Sequence, residues 1–315
     1  MTFSSLKPAL GLLSLTLLVG LTPAAHSQQF ASSVAASSSL STNPLYSDPK
    51  AALGQPTTLV NGIYDDPPGT YHRSMVYTAY NTDPSGNNLL VSLGGSGLGS
   101  LTVKFDQAPI THSDSHWFGE DFIVFGNQGF SADGFVTPTT DMSQFHISDG
   151  NTYSTLPTVS VSSDGINFVT LTPADSVLFP ENPYKWAGIS AQNPSGWDDS
   201  HLQDFSKPVD PSLTAADFAG QTVAHAANDL YNGSAGGTAF SLANTPFAQT
   251  GIQYIRFTGA GTIDGVSRVG NALAPVPEMN SGWLLGVGLL FLGACLRRKT
   301  GKLAEKASER GGGRG

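Results

Sequence analysis

The chain has 315 residues, of which 39% are hydrophobic and only 12% are charged, about half the charged fraction of roughly 25% that is usual in soluble domains. With 36 glycines, 20 prolines and 10% aromatic residues, this composition excludes coiled coils, long helical bundles and acidic disordered chains, and it favours a loop-rich β protein. The single cysteine, Cys295, excludes an intrachain disulfide and any zinc site built from several cysteines.

The formal net charge of −9 is unevenly distributed along the chain. Residues 28–276 carry seven lysines and arginines against 21 aspartates and glutamates, a balance of −14. Residues 297–315 carry seven against two, a balance of +5. The acidic body argues against nucleic-acid binding, because contacts with phosphate groups need a basic surface.

Residues 1–27 have the pattern of a secretory signal peptide. Lys7 precedes an apolar stretch at 9–21, and the small-residue step Ala-His-Ser at 25–27 places the expected cleavage before Gln28. The apolar stretch is shorter than the roughly 20 residues that a transmembrane helix needs. The sequence therefore predicts export.

The exported part is predicted to begin with a flexible leader and to continue as a single all-β domain. Residues 28–43 are rich in serine and alanine and carry no charge, which is typical of a flexible segment. Residues 44–272 are predicted to form a jelly-roll-like sandwich of two sheets with long loops. The strand signals are apolar or alternating runs at 89–93, 101–105, 122–125, 159–171 and 253–258.

Two of these runs support more detailed predictions. The continuous apolar sequence Phe-Ile-Val-Phe at 122–125 is expected to be buried on both faces of its sheet. The dipeptide Asp164-Gly165 predicts a type I′ turn within a hairpin at 159–171. The helix signals are limited to one short segment at 213–218, with Thr214 as a candidate cap.

Acidic residues in loops suggest a calcium site. Aspartates supply 19 of the 21 acidic residues of the body and occur mainly in loops rich in glycine, asparagine and proline. Loop oxygens suit Ca²⁺, and Glu120, Asp121 and Asp264, close to predicted strands, are the candidate ligands. No EF-hand signature is present, so solvated turn residues are the alternative interpretation.

The segment 112–121 also holds two histidines, which favours either a zinc or copper site or a solvated polar loop.

Aromatic residues suggest a second kind of site. Trp117, Trp186 and Trp197, together with Tyr64 and Tyr71, are candidates for a surface that stacks on sugar rings, or else for core and loop packing. Adjacent aspartates at 65–66 and 198–199 invite comparison with glycoside hydrolases, but neighbouring loop carboxylates do not fix the separation that this chemistry needs. The sequence has no Gly-x-Ser-x-Gly, His-Glu-x-x-His or P-loop motif, so no enzymatic activity is expected.

The C-terminal part predicts a membrane anchor. Residues 279–296 carry no charge, and their length falls within the roughly 17–25 residues that a transmembrane helix requires. Arg297, Arg298 and Lys299 follow immediately and are predicted to keep the basic tail at 301–315 in the cytoplasm. The signal peptide and this segment together predict a body outside the membrane and one C-terminal transmembrane helix.

The sequence Ala-Pro-Val-Pro-Glu at 274–278, followed by this apolar span and the basic cluster, resembles the PEP-CTERM sorting signal of exported bacterial proteins. The resemblance covers residues 273–300. It implies that an exosortase, which is a membrane cysteine protease, recognises Val276, Pro277 and Glu278. It also implies a location on the cell surface or in the extracellular matrix of a Gram-negative-type bacterium. A plain single-span anchor is the alternative interpretation.

Four segments resemble a family of bacterial secreted or cell-surface β-sandwich domains that often carry a PEP-CTERM tail. They are the sequences at 92–106, 119–130, 159–171 and 253–269, which contain a Glu-Asp-Phe strand and a Val-Ser-x-Asp-Gly hairpin. The resemblance implies the sandwich fold and no particular activity.

The sequence therefore predicts an exported, non-catalytic protein associated with exopolysaccharide or a biofilm matrix. The alternatives are a carbohydrate-binding module, with or without Ca²⁺, and a secreted glycoside hydrolase.

Overall fold

The computed structural model describes residues 29–79, 82–94, 99–175 and 177–272. Of these described residues, 35% lie in strands and 9% in helices, which confirms the predicted all-β class. No helix among the described residues is long and apolar enough to cross a membrane. Several predicted features lie outside the described residues: the signal peptide, the transmembrane helix at 279–296, the basic tail, Val276, Pro277, Glu278, Arg297, Arg298 and Lys299.

The strands of the described residues are β1 (Ser33–Ser38), β2 (Leu59–Gly62), β3 (Gly69–His72), β4 (Val91–Leu93), β5 (Gly99–Lys104), β6 (Phe122–Phe125), β7 (Gly129–Ala132), β8 (Ile147–Tyr153), β9 (Thr158–Ser162), β10 (Val169–Thr170), β11 (Tyr184–Trp186), β12 (Trp197–Leu202), β13 (Thr238–Phe240), β14 (Tyr254–Gly259), β15 (Gly261–Ile263) and β16 (Gly265–Arg268). The helical segments are α1 (Ala215–Phe218), α2 (Val223–His225), a π-helical turn at Ala226–Leu230 and 3₁₀ turns at Pro44–Tyr46, Pro49–Ala52 and Trp117–Gly119. The chain divides into two units after Gly270, and of the second unit only Asn271 and Ala272 are described.

The largest sheet has five antiparallel strands in the order β1-β5-β14-β9-β10. Its central strands alternate apolar and polar residues, so one face is apolar, as the period of two in a strand requires. Ile255 of β14 pairs with Val103 of β5 on one side and with Val161 of β9 on the other. These side chains are fully buried in the main hydrophobic core.

A three-stranded antiparallel sheet, in the order β13-β6-β16, lies on the other side of this core. Phe122 and Val124 of β6 belong to the core shared with the five-stranded sheet, whereas Ile123 and Phe125 pack in a second cluster with Phe205. All four residues of β6 are buried, which confirms the prediction that this run is covered on both faces.

The remaining short strands form two-stranded ribbons, β2-β3, β4-β15, β7-β8 and β11-β12. A further core of aromatic and aliphatic residues lies beneath β7, β11, β12 and the helical turns, and includes Phe130, Phe179, Phe218 and Tyr231. The predicted helix is observed as α1, and the Asp217 carboxylate accepts a hydrogen bond from the Thr214 main-chain N–H at 2.7 Å.

The segment 28–43 is not a flexible leader in its described part. Residues Ser33–Ser38 form β1, the edge strand of the five-stranded sheet, paired with β5. Phe30 bridges to Ser267, and the Ala31 N–H donates to the Val266 carbonyl at 3.0 Å. The composition was misleading because an edge strand is held by main-chain hydrogen bonds, which serine and alanine make without an apolar pattern.

The hairpin at 159–171 is confirmed, but its predicted type I′ turn is wrong. Val161 pairs with Val169, so the connection is seven residues long rather than two. Gly165 has φ of 75°, whereas Asp164 is not among the residues with positive φ, which a type I′ turn requires at both central positions. The Asp164 carboxylate instead accepts the main-chain N–H groups of Ile166 and Asn167 at 2.8 and 2.9 Å.

Candidate functional site: carboxyl groups at the two ends of strand β6

Asp121 is fully buried immediately before β6 and accepts four hydrogen bonds. His116 Nδ1 lies 2.8 Å from its Oδ1, and His112 Nδ1 lies 3.0 Å from its Oδ2. The main-chain N–H groups of Leu242 and Ser113 donate at 2.6 and 3.3 Å. The carboxylate therefore ties the histidine-rich loop to the segment after β13, so this loop is organised around one buried anion.

The charge of Asp121 acts on His112. Burial disfavours the protonated form of His112, but the hydrogen bonds and charges of Asp121 and Asp114 outweigh that cost and raise its pKa. His112 Nε2 lies 3.3 Å from the exposed carboxylate of Asp114. Both ring nitrogens of His112 therefore face carboxylates, which favours the imidazolium at mildly acidic pH.

Glu120 and Asp175 are two further buried carboxyl groups on this side of the sheet, 6% and 9% exposed. Burial, with repulsion from Asp121, raises the pKa of Glu120 to about 7, and burial raises the pKa of Asp175 to about 7. Asp175 Oδ2 accepts the Ala239 N–H at 2.8 Å, whereas Asp175 Oδ1 and Glu120 Oε2 have no hydrogen-bond partner among the described residues. Both groups are therefore suited to carry a proton near neutral pH.

Arg73 and Asp264 occupy the opposite end of β6. Arg73 is fully buried, and its Nη1 lies 2.5 Å from Asp264 Oδ2. Its Nη2 donates to the carbonyl of Gly126, which directly follows β6. Asp264 also accepts the main-chain N–H and the hydroxyl of Thr57, each at 3.0 Å. This pair thus joins β3, β6 and β16 at one point.

Glu181 completes this second cluster. Its Oε2 lies 3.4 Å from Arg73 Nη2, and its carboxyl group is fully buried. Burial raises its pKa well above the usual value, which the positive charge of Arg73 only partly offsets and the negative charge of Asp264 increases further. A proton on Glu181 removes the repulsion that two ionised carboxylates, those of Glu181 and Asp264, would have beside one arginine. The trio of Arg73, Asp264 and Glu181 is then electrically neutral inside the protein.

The predicted calcium ligands do not come together. Val269 N–H donates to the Asp121 carbonyl at one end of β6, and Asp264 N–H donates to the Phe125 carbonyl at the other. Asp121 and Asp264 are thus separated by the whole strand, about 13 Å at about 3.3 Å per residue. Glu120 lies next to Asp121, and Asp264 is paired with an arginine. Among the described residues, no three histidine, cysteine, aspartate or glutamate side chains are grouped so that they could hold a metal ion.

Of the three tryptophans predicted to stack on sugars, two are buried in the hydrophobic core and one is half-buried. Trp186 and Trp197 are 9% and 3% exposed and contact each other edge to face, with ring centroids 5.3 Å apart. Their ring faces are covered by protein, so neither presents a stacking surface. Trp117 is half-buried, and the ammonium group of Lys207 lies 4.7 Å from its ring centroid.

A polar groove of about 550 Å³ lies over the Arg73–Asp264 end of the sheet. Its lining includes Lys50, Thr57, Asp83 and Asn88, with Asp264 behind Thr57, to which it is hydrogen-bonded. Asp264 itself is 1% exposed, so the groove does not open onto the buried ion pair.

The sequence predictions missed Arg73, Asp175 and Glu181. For Glu181 the composition held one signal, since the body has only two glutamates among its 21 acidic residues. The structure shows that both of them, Glu120 and Glu181, are buried. The burial of Arg73 had no sequence signal, since it depends on strands that are distant along the chain.

Comparison of the chain with protein-family models, with curated proteins and with solved structures found no match. The functional assignment therefore depends on the residues and their geometry.

Proposed function

We propose that this chain is an exported, non-catalytic bacterial cell-surface protein with a jelly-roll-like β-sandwich body. In this proposal a signal peptide at 1–27 directs export, and the PEP-CTERM-like segment at 273–300 directs sorting through Val276, Pro277 and Glu278. An exosortase-type membrane protease is the processing partner, and extracellular polysaccharide is the environment of the body.

The observation that carries the proposal is the position of the unit boundary. The first unit ends at Gly270, directly before the segment predicted to be the sorting signal. The two outermost described segments of this unit also meet, because Phe30 bridges to Ser267 and the Arg268 N–H donates to the Gln29 carbonyl at 2.8 Å. A body with this arrangement is suited to attachment through a single short linker.

The buried carboxyl groups support a non-catalytic role. The side chains of Glu181 and Asp264, which share one arginine, are at most 1% exposed. A glycoside hydrolase needs two carboxyl groups that flank a bound sugar, with access for water. Groups sealed in the interior are out of reach of both a sugar and bulk water.

The sorting proposal is tested by cell fractionation of the full-length protein in a bacterium that has an exosortase. The double substitution Pro277→Ala/Glu278→Ala should leave the protein at a larger mass in the inner membrane, whereas the wild type is processed and released to the surface. The matched control is Pro275→Ala/Asn280→Ala, which changes the flanking residues and should be processed like the wild type. Equal mass and location of all three proteins would contradict the proposal.

A second candidate function, carbohydrate binding, is favoured by one specific observation. Phe135 and Tyr64 are 97% and 82% exposed, although most aromatic side chains of the described chain are buried. Exposed rings on neighbouring loops are the kind of surface on which sugars stack.

A further inference from the structure

We propose that Tyr64 and Phe135 form a binding surface for an uncharged polysaccharide. We call this surface the aromatic tip and define it as residues 62–69 and 133–138. The inference deepens the carbohydrate-binding candidate and rests on it, and it is independent of the sorting proposal.

The aromatic tip holds a disproportionate share of the exposed apolar surface. Eight large hydrophobic side chains of the described residues are exposed, and three of them lie in these two short loops: Ile63 at 51%, Tyr64 at 82% and Phe135 at 97%. Exposing a phenylalanine ring forgoes the free energy of its burial, and clustered exposure marks interaction surfaces.

The two loops lie against each other. Residues 62–69 connect β2 to β3, and a methyl group placed on Gly69 would lie 3.3 Å from Pro138 Cγ of the second loop. Val136, next to Phe135, packs against the hydrophobic cluster that contains Val60 and Tyr71 beneath the ribbon. The exposed rings therefore project from adjoining segments.

The base of the aromatic tip is held in place. The Tyr71 hydroxyl donates to the Pro67 carbonyl at 2.7 Å, and the Tyr77 hydroxyl donates to the Asp65 carboxylate. The rings of Tyr71 and Tyr77 stack, with centroids 4.3 Å apart. A surface ordered before binding loses less conformational entropy when a ligand arrives.

The polar groups of the aromatic tip indicate the kind of ligand. Asp66 is exposed and forms no hydrogen bond with any described residue, so its carboxylate is available to accept a hydrogen bond from a sugar hydroxyl. The two loops contain three aspartates, Asp65, Asp66 and Asp133, and no lysine or arginine. Because like charges repel, this surface disfavours anionic polysaccharides and anionic lipid headgroups. An uncharged sugar chain, with apolar C–H faces for the rings and hydroxyls for the carboxylates, fits both features.

The test is affinity gel electrophoresis of the full-length protein in detergent, with laminarin, dextran or hydroxyethyl cellulose in the gel. We expect at least one of these neutral glycans to retard the wild type. Tyr64→Ala and Phe135→Ala should each raise the apparent Kd at least tenfold, and the double variant should migrate as if no glycan were present. Ile166→Ala, which removes a side chain that is 79% exposed on the β9–β10 turn, is the matched control and should bind like the wild type.

Three outcomes would overturn the inference. They are the absence of retardation by all three glycans, full binding by the double variant, and an equal loss in the Ile166→Ala control. Binding of the wild type only to alginate or to vesicles containing phosphatidylglycerol would also overturn it, in favour of an anionic partner. The control is thermal unfolding. A variant that unfolds at the same midpoint temperature as the wild type has lost binding without losing its fold. We expect these substitutions to leave the result of cell fractionation unchanged, so failure here is distinguishable from failure of the sorting proposal.

Discussion

Arg73 and Asp264 form an ion pair in the protein interior, with 2.5 Å between Nη1 and Oδ2 and with both side chains 1% exposed. Removing the guanidinium leaves Asp264 and Glu181 without a cation, in a place from which water is excluded. We therefore expect Arg73→Met to lower the free energy of unfolding by about 3–5 kcal/mol, the usual cost of breaking a buried pair from one side. Urea unfolding followed by tryptophan fluorescence measures the change.

The matched control for this substitution is Lys50→Met, which removes an exposed positive charge. Its effect should stay within about 0.5 kcal/mol, as at other surface positions. If Arg73→Met were as stable as Lys50→Met, the pair would not contribute as described.

Glu120 and Asp175 make stability depend on pH. Their pKa values rise from 4.5 and 3.8 to about 7 on folding. Between about pH 4 and pH 7 the unfolded chain has released these protons while the folded chain keeps them, so the free energy of unfolding falls as pH increases through this window. The urea midpoint should therefore be higher at pH 5 than at pH 8.

Glu120→Gln removes one of the two groups and should make this dependence shallower, mainly by stabilising the protein at pH 8. Asp66→Asn is the matched control, because this side chain is exposed, and its pH profile should follow the wild type. A wild-type midpoint that rises from pH 5 to pH 8 would contradict the assignment.

Asp121 raises the pKa of His112, whose ring it contacts. In Asp121→Asn the hydrogen bond and the negative charge that raise the pKa of His112 are lost, while burial still disfavours the imidazolium. The pKa of His112 should therefore fall. Titration of the imidazole carbon-bound protons by NMR measures it, with Asp114→Asn as the control that removes only the exposed partner. A larger fall in Asp114→Asn than in Asp121→Asn would show that the buried carboxylate is not the dominant partner.

The strands that depend on apolar patterning could be predicted, and the charged clusters could not. The run at 122–125 and the alternation around Ile255 identify β6 and β14, because burial of those side chains is visible in the local pattern. Strand β1 lacks such a pattern, since its stability comes from hydrogen bonds with β5. Arg73 meets Asp264 only after strands far apart in the chain have paired, so neither residue identifies the other in the sequence.

Gly196 supports the packing of the two buried tryptophans. It has φ of 77°, and a methyl group at this position would lie 2.0 Å from the Trp186 ring. Gly196→Ala should therefore destabilise the protein by more than the roughly 1–2 kcal/mol that a left-handed conformation alone costs an alanine. Gly188→Ala is the matched control, with φ of 89° and open space around the added methyl group.

The difference between the two alanine variants in urea midpoint isolates the steric contribution of the Trp186 contact. Equal destabilisation by both substitutions would mean that the tryptophan ring moves aside at no cost.

The meeting of the first and last described segments of the body also has a mechanical consequence. Residues 268–270 are bonded in three directions, through the Arg268 N–H to Gln29, the Val269 N–H to Asp121 and the Gly270 N–H to Ser206. The Arg268 guanidinium adds hydrogen bonds to the carbonyls of Ala108 and Pro109. Tension applied to the chain beyond Gly270 would load these bonds together rather than one after another, so the body would resist being unravelled from this end.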